Sequence, residues 1–273
     1  MAQLNSISRV SRQFETYGSS PILVLASDKN EYVCKYHRSA NPSFSGNLIN
    51  EYLASEFLKC WNIYAPVSGF IKFKVEHIEG LGLQHSWFDI PCFGSCYDSY
   101  ANEIDALTST SNSLVRKGMQ KKDTFLKIAL FDIWLSNEDR NLGNYNLLLD
   151  TINQNIIFPI DHEKIFNSNS LRQRKICSIT YEDSLISSPF TSTLYSKKKL
   201  ANKGFLDELK KYFYICINNC EAKLPTIIES IPNEWCNDKS NLEKLLTDNI
   251  FQDNWKDQCF QLFLEFIQTN INQ

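Results

Sequence analysis

No stretch of this chain approaches the roughly 20 consecutive apolar residues that a membrane-spanning helix needs. Its opening residues, MAQLNSISRVSRQF, also lack the continuous apolar core of a secretory signal, so a cytoplasmic protein is expected and a membrane is not an expected partner. Neither sign of charge dominates. The 28 Lys and Arg residues stand against 31 Asp and Glu, and a net charge of −3 leaves no electrostatic footprint for wholesale nucleic-acid binding. Histidine is scarce, at four, and the nine cysteines form an odd set in a chain without a secretion signal, which reads as reduced thiols. Cys92/Cys96 and Cys216/Cys220 have gaps that two zinc ligands could use. The second pair lies in LKKYFYICINNCEAKL, where four-residue spacing is one face of a helix, so buried thiols are expected instead. Internal repeats, low-complexity tracts and Pro/Gly-rich linkers are absent too.

What remains is a chain of 273 residues, long enough for one large domain or for two lobes that share a cleft. Its first third is strand-like. PILVLAS and EYVCKY, separated by the turn signal DKN, read as a hairpin over Pro21 to Tyr36. NLINEYLASEFLKCWN repeats apolar residues at Leu48, Leu53, Phe57 and Trp61 and reads as a helix of about four turns. SGFIKFKVEHI and PCFGSCY read as further strands. From about Tyr100 the pattern turns helical, in DTFLKIALFDIWLSN, FLDELKKYFYICINNCEAKL and DNWKDQCFQLFLEFIQTNI. The expected architecture is α+β and bilobal, with a β-rich N-lobe over 1–97 carrying one helix and a mainly helical C-lobe over 98–273. The Ser/Thr-rich, locally basic segment 167–204 is expected to be a mobile loop over a site.

One stretch departs from this pattern: NEDRNLGNYNLLLDTINQNIIFPIDHEKIF, residues 137–166. Asp139 leads a turn, Asn144 follows five residues later just before YNLLLD, and Asp161 ends the returning run NIIFPI. If the two runs pair as a hairpin with DTINQN as its loop, the open end gathers all three side chains. Such hard oxygen donors suit magnesium, which binds through one or two protein groups and substrate phosphate oxygens. A carboxylate that is not a ligand can orient a hydroxyl and accept its proton. The step from Asp139 to Asn144, with a second aspartate after a short hairpin, matches the spacing of the protein-kinase catalytic loop. Asp139 is then the expected base, and Asn144 and Asp161 the expected magnesium ligands.

The upstream parts of a phosphoryl-transfer site are also present. Gly18, Ser19 and Ser20 precede the first strand of the hairpin, where small residues let backbone amides approach phosphates. Lys35 alternates with Val33 on the second strand, and Glu51 in the following helix is placed to pair with it and hold it toward the phosphates of ATP.

In order, GSSPILVLASDKNEYVCK, LINEYLASEFL, CFGS, NEDRNLGNYNLLL and FPIDH resemble the HipA-like kinase domain, a branch related to phosphatidylinositol kinases and to bacterial Ser/Thr protein kinases. The resemblance runs from about Gly18 to Ile165. It implies an ATP- and magnesium-dependent bilobal kinase with the roles given above, and a hinge after CFGSCY that holds adenine near Tyr97. A protein Ser/Thr acceptor is implied, with a HipA-type toxin or regulator role and an antitoxin or other regulatory partner. The chain departs from relatives at Asn141, where many carry histidine, and at Asp161-His162-Glu163, which replaces Asp-Phe-Gly. With seventeen residues before Gly18, a compact version without the extra N-terminal subdomain of the toxin relatives is expected. The alternatives are a lipid or small-molecule kinase, or a catalytically silent nucleotide-binding interaction module.

Overall fold

The computed structural model describes residues 1–15, 20–38, 46–104, 122–150, 156–173 and 176–273. The chain is a mixed α+β protein that divides into two units. One takes Met1–Glu56, Pro66–Ser99 and Thr226–Lys239; the other takes Phe57–Ala65, Tyr100–Pro225 and Ser240–Gln273.

The first unit is built on a six-stranded sheet made from β1 (Ala2–Asn5), β2 (Arg12–Gln13), β3 (Ile22–Leu25), β4 (Glu31–Lys35), β5 (Ser68–Lys72) and β6 (Cys92–Cys96), in the order β1-β5-β6-β4-β3-β2. The expected β3–β4 hairpin forms, with Leu23 opposite Val33 and Leu25 opposite Glu31. Asp28 shapes its turn by accepting from the backbone N–H of Asn30 at 3.1 Å and from the Tyr32 hydroxyl at 2.8 Å, while Lys29 takes the left-handed conformation at φ 69°. Ile22, Val24, Tyr32, Cys34 and Ile71 form the core on one face of the sheet. Gly94 on β6 faces Gly69 on β5 and Cys34 on β4; a Cβ there would come within 2.7 Å of Ile71 Cγ1, so the close packing of these strands requires glycine. The expected helix is α1 (Gly46–Cys60), with Leu48, Leu53 and Phe57 buried at helical spacing.

Two features of this unit depart from expectation. β1 joins the sheet parallel to β5, and of the run SGFIKFKVEHI only Ser68–Lys72 is a strand, Val75–His77 being a 3₁₀ turn. The returning segment Thr226–Lys239 is anchored by Trp235, which is fully buried, donates Nε1–H to the Pro91 carbonyl at 2.7 Å and meets Phe70 edge-on at 5.1 Å.

The second unit centres on α2 (Asp123–Leu135), whose residues from Phe125 to Leu135 are buried except Lys127. Trp134 stacks on Trp61 at 5.7 Å and donates to the Ile250 carbonyl at 2.8 Å. A three-stranded antiparallel sheet, β7 (Ala101–Glu103), β8 (Leu147–Asp150) and β9 (Ile156–Pro159), contains the expected hairpin, with Leu147 opposite Pro159 and Asp150 opposite Ile156. Its turn, 151–155, lies outside the described residues. β7 sits where a turn to helix was expected.

The segment 167–204 is a correction. Residues 176–180 form no regular element, but from Leu185 onward the segment is a series of short helical turns, including α3 (Pro189–Leu194) and α4 (Lys197–Leu200), that bury Leu185, Ile186, Phe190 and Leu200. Arg174 and Lys175 lie outside the described residues. The unit also takes α5 (Lys203–Glu229) up to Pro225, α6 (Lys239–Asn249) from Ser240 onward, and α7 (Asp253–Asn272). Cys216 and Cys220 lie buried on α5, all nine cysteines are free thiols, and no helix among the described residues is long and apolar enough to cross a membrane.

Candidate active site

The polar residues singled out above fall into two groups, one in each unit. In the second unit, α2 ends at Leu135 because Ser136 turns left-handed at φ 49° and its N–H closes on the Ile133 carbonyl at 3.3 Å. The loop that follows is held by its own amides. Asn137 donates Nδ2–H to Asp132 Oδ1 at 2.9 Å and accepts at Oδ1 from the Asp139 N–H at 3.4 Å. Asn141 and Asn144 exchange backbone hydrogen bonds of 3.0 and 3.1 Å, and Asn141 Oδ1 accepts from the Gly143 N–H at 2.9 Å, which closes a tight turn.

That turn brings Asn144 back onto Asp139. Asn144 donates Nδ2–H to Asp139 Oδ2 at 3.2 Å, and Asn146 reaches the same oxygen at 3.4 Å. The Asn144 atom used is the amide nitrogen, so Oδ1, the atom with cation-binding capacity, is not the one committed to Asp139. Asp161 follows β9, whose end is fixed by the Ile160 N–H donating to the Asn146 carbonyl at 2.9 Å; Asp161 itself is left-handed at φ 57°. Non-glycine residues in that conformation are uncommon and gather at functional sites.

Partial burial pushes the Asp139 carboxyl above its ordinary range, and the Asp161 charge pushes it further; the Asn144 amide, Lys164 and Arg140 pull the other way without cancelling the rise. Asp139, Asn144 and Asp161 offer two carboxylates and an amide oxygen, hard oxygen donors of the kind that suit a magnesium ion.

In the first unit, Lys35 Nζ lies 2.5 Å from Glu51 Oε1, with both side chains largely buried. The alternation of β4 puts Val33 and Lys35 on one face and Tyr32 and Cys34, both buried, on the other, as expected. Ser20 enters β3 with φ 45° and accepts at its carbonyl from the Tyr36 hydroxyl at 3.0 Å. Gly18 and Ser19 lie outside the described residues. Tyr97 follows β6; its N–H donates to the Glu31 carbonyl at 2.8 Å and its ring is 6.3 Å from Phe14.

The sequence profile of the HipA-like kinase family matches residues 7–258. The chain belongs to the HipA-like kinase family. Among solved structures, that of a Helicobacter pylori proinflammatory kinase, CtkA, superimposes with a TM-score of 0.56 at 14% identity, covering 98% of each chain. No curated protein matches the chain by sequence.

In this HipA-like kinase chain the loop is held together by further residues that its sequence pattern does not single out. Arg140 is fully buried, with Nε 2.9 Å from Asp132 Oδ2, Nη1 donating to the Tyr145 carbonyl at 3.2 Å and to the Asn146 carbonyl, and Nη2 3.0 Å from His162 Nε2. The Arg140–Asp132 contact is an ion pair by distance, although Nε and Oδ2 are not aligned as a hydrogen bond. Burial raises the Asp132 carboxyl against the pull of Arg140 and Asn137. Asn146 supports Asp139 beside Asn144, and Glu138 accepts from Ser168 Oγ at 2.8 Å. The signal for Asp132 was in plain view: it is the one acid inside the apolar run FLKIALFDIWL.

Proposed function

We propose that this HipA-like kinase transfers the γ-phosphoryl group of ATP, with magnesium, to a Ser or Thr hydroxyl of a protein. The observation that carries the proposal is Asp139, held by two amide donors on one oxygen with a second carboxylate, Asp161, acting on its charge. In this reading the arrangement is that of a bilobal kinase, with an N-lobe over 1–97 and a C-lobe over 98–273.

Asp139 accepts a hydrogen bond from the acceptor hydroxyl and takes its proton as the new O–P bond forms and the bond from the γ-phosphorus to the bridging oxygen of ADP breaks. A carboxyl raised by burial and by a neighbouring charge is a stronger base than an exposed aspartate. Asn144, through Oδ1, and Asp161 are the residues assigned to magnesium. The bound ion supplies neutralisation of charge on the phosphate oxygens. Lys35, oriented by Glu51, binds phosphate oxygens, as do the backbone amides of Gly18, Ser19 and Ser20. Adenine is assigned to the segment at Tyr97. The same reading places the protein in the cytoplasm, as a toxin or regulator of the HipA type with an antitoxin or regulatory partner.

The test is acceptor analysis. The protein is incubated with γ-labelled ATP and magnesium in a lysate, and label is sought on phosphoserine and phosphothreonine, with phosphoinositide vesicles as a parallel arm. Label on Ser or Thr that disappears with Asp139→Ala supports the proposal. Label confined to the vesicles, or label undiminished from wild type in both Asp139→Ala and Asp161→Ala, would refute it.

A further inference from the structure

The runs Asp-Arg-x-x-Gly-Asn and Ile-Asp-His each contain one residue, Arg140 in the first and His162 in the second, that the phosphotransfer chemistry leaves without a role. The two meet each other. Arg140 Nη2 and His162 Nε2 are 3.0 Å apart, and both side chains are buried. A guanidinium carries donors only, so His162 accepts through Nε2 and carries its proton on Nδ1. The His162 ring meets Phe131 edge-on at 6.1 Å, which fixes its plane from the side of α2.

Arg140 thereby joins four places in the chain. Nε faces Asp132 in the last turns of α2; Nη1 holds the carbonyls of Tyr145 and Asn146 at the mouth of the β8–β9 hairpin; Nη2 holds His162; and the residue's own backbone adjoins Asp139. Asn146 adds a parallel path, donating to Asp139 and accepting from the Ile160 N–H. Both paths start within one residue of Asp139 and end within one residue of Asp161. The planar fork gives each of these bonds a direction, which a hydrophobic filling of the same volume would not.

We infer that Arg140, with His162 as its acceptor, is a positioning residue that sets the placement of Asp161 against Asp139. The inference rests on the phosphotransfer reading of the site. It accounts for why a buried arginine and a buried histidine accompany the two carboxylates although neither is asked to touch substrate.

Two variants and two readouts test it, on the full chain. His162→Phe keeps a ring against Phe131 and removes the acceptor; His162→Gln keeps an oxygen that can accept from Arg140. For His162→Phe the expected result is a kcat at least tenfold lower with the KM for ATP within threefold of wild type. Binding of Mn²⁺ alone, followed by electron paramagnetic resonance, is expected to weaken severalfold. His162→Gln is expected to retain at least a third of the wild-type kcat. A folded His162→Phe with kcat and Mn²⁺ binding both within twofold of wild type overturns the inference. Should His162→Phe fail to fold, His162→Gln decides: a tenfold loss of kcat with a normal unfolding transition overturns the inference, and retention supports it. A wild-type protein that transfers no phosphate defeats the kinase reading itself, and is distinguished because no variant is needed to see it.

Discussion

Lys35 Nζ sits 2.5 Å from Glu51 Oε1, and the two side chains are only 12% and 6% exposed. A strand lysine and a helix glutamate in contact out of water form a pair whose members are costly to separate, because either one left alone is a buried charge. Lys35→Met is expected to destabilise the protein by about 3 kcal/mol. The double variant Lys35→Met, Glu51→Met is expected to lose less than that single change. Urea unfolding of the three proteins checks this; strictly additive losses would show that the pair is not coupled.

Asp139 lends itself to a pH experiment. Its native carboxyl binds a proton more tightly than the unfolded one, whose ordinary value is near 3.8. As pH rises through the window from that value to the raised native one, the unfolded state gives up its proton first and native stability declines. The ionised carboxylate is therefore a local burden at neutral pH. Asp139→Asn is expected to melt above wild type at pH 7, with the gap closing as pH falls below the ordinary carboxylate range. A variant that melts below wild type at pH 7 would contradict the electrostatic account of the site.

Ligand linkage separates the role of Asp161 from that of the fold. A ligand at 100 times its Kd stabilises the native state by about 2.7 kcal/mol. Wild type is expected to melt higher with ATP and magnesium than with ATP and a chelator. For Asp161→Asn the two melting curves are expected to coincide. An undiminished magnesium-dependent shift in that variant would remove Asp161 from the metal site.

Trp235 tests the packing of the returning segment Thr226–Lys239. Its ring is fully buried against Phe70 and its N–H is satisfied by the Pro91 carbonyl. Trp235→Ala is expected to cost about 3–5 kcal/mol in chemical unfolding. Trp235→Phe, which keeps most of the apolar surface but leaves the carbonyl without this donor, is expected to cost about 1–3 kcal/mol. Equal losses for the two variants would mean that the ring contributes little to packing.

Elements whose information is local were legible in the sequence. The β3–β4 hairpin announces itself through Asp28 and Asn30 between two β-rich runs, and the β8–β9 hairpin through NLLLD and NIIFP. β1 was not legible, because its partner β5 is more than 60 residues away and its own side chains are mostly exposed. The Ser/Thr-rich segment looked like a loop because hydroxyl composition is ambiguous. Here Ser184 accepts from the Ile186 N–H and so caps a short turn, while Ser188 and Thr191 donate to the buried Leu185 carbonyl. In the site, the five-residue step from Asp139 to Asn144 was readable and their contact follows from it. The burial of Arg140 was not, since arginine is ordinarily exposed and Asp132 carries its meaning only once both are seen together.

The central claim is that Asp139 is the base of a phosphoryl-transfer centre. Its most direct measurement is the single-turnover rate of γ-phosphoryl transfer from ATP at pH 7, wild type against Asp139→Asn, both checked for a normal unfolding transition. Loss of a positioned general base predicts a rate lower by about 10²–10⁴. A folded Asp139→Asn protein that transfers phosphate as fast as wild type would contradict the account.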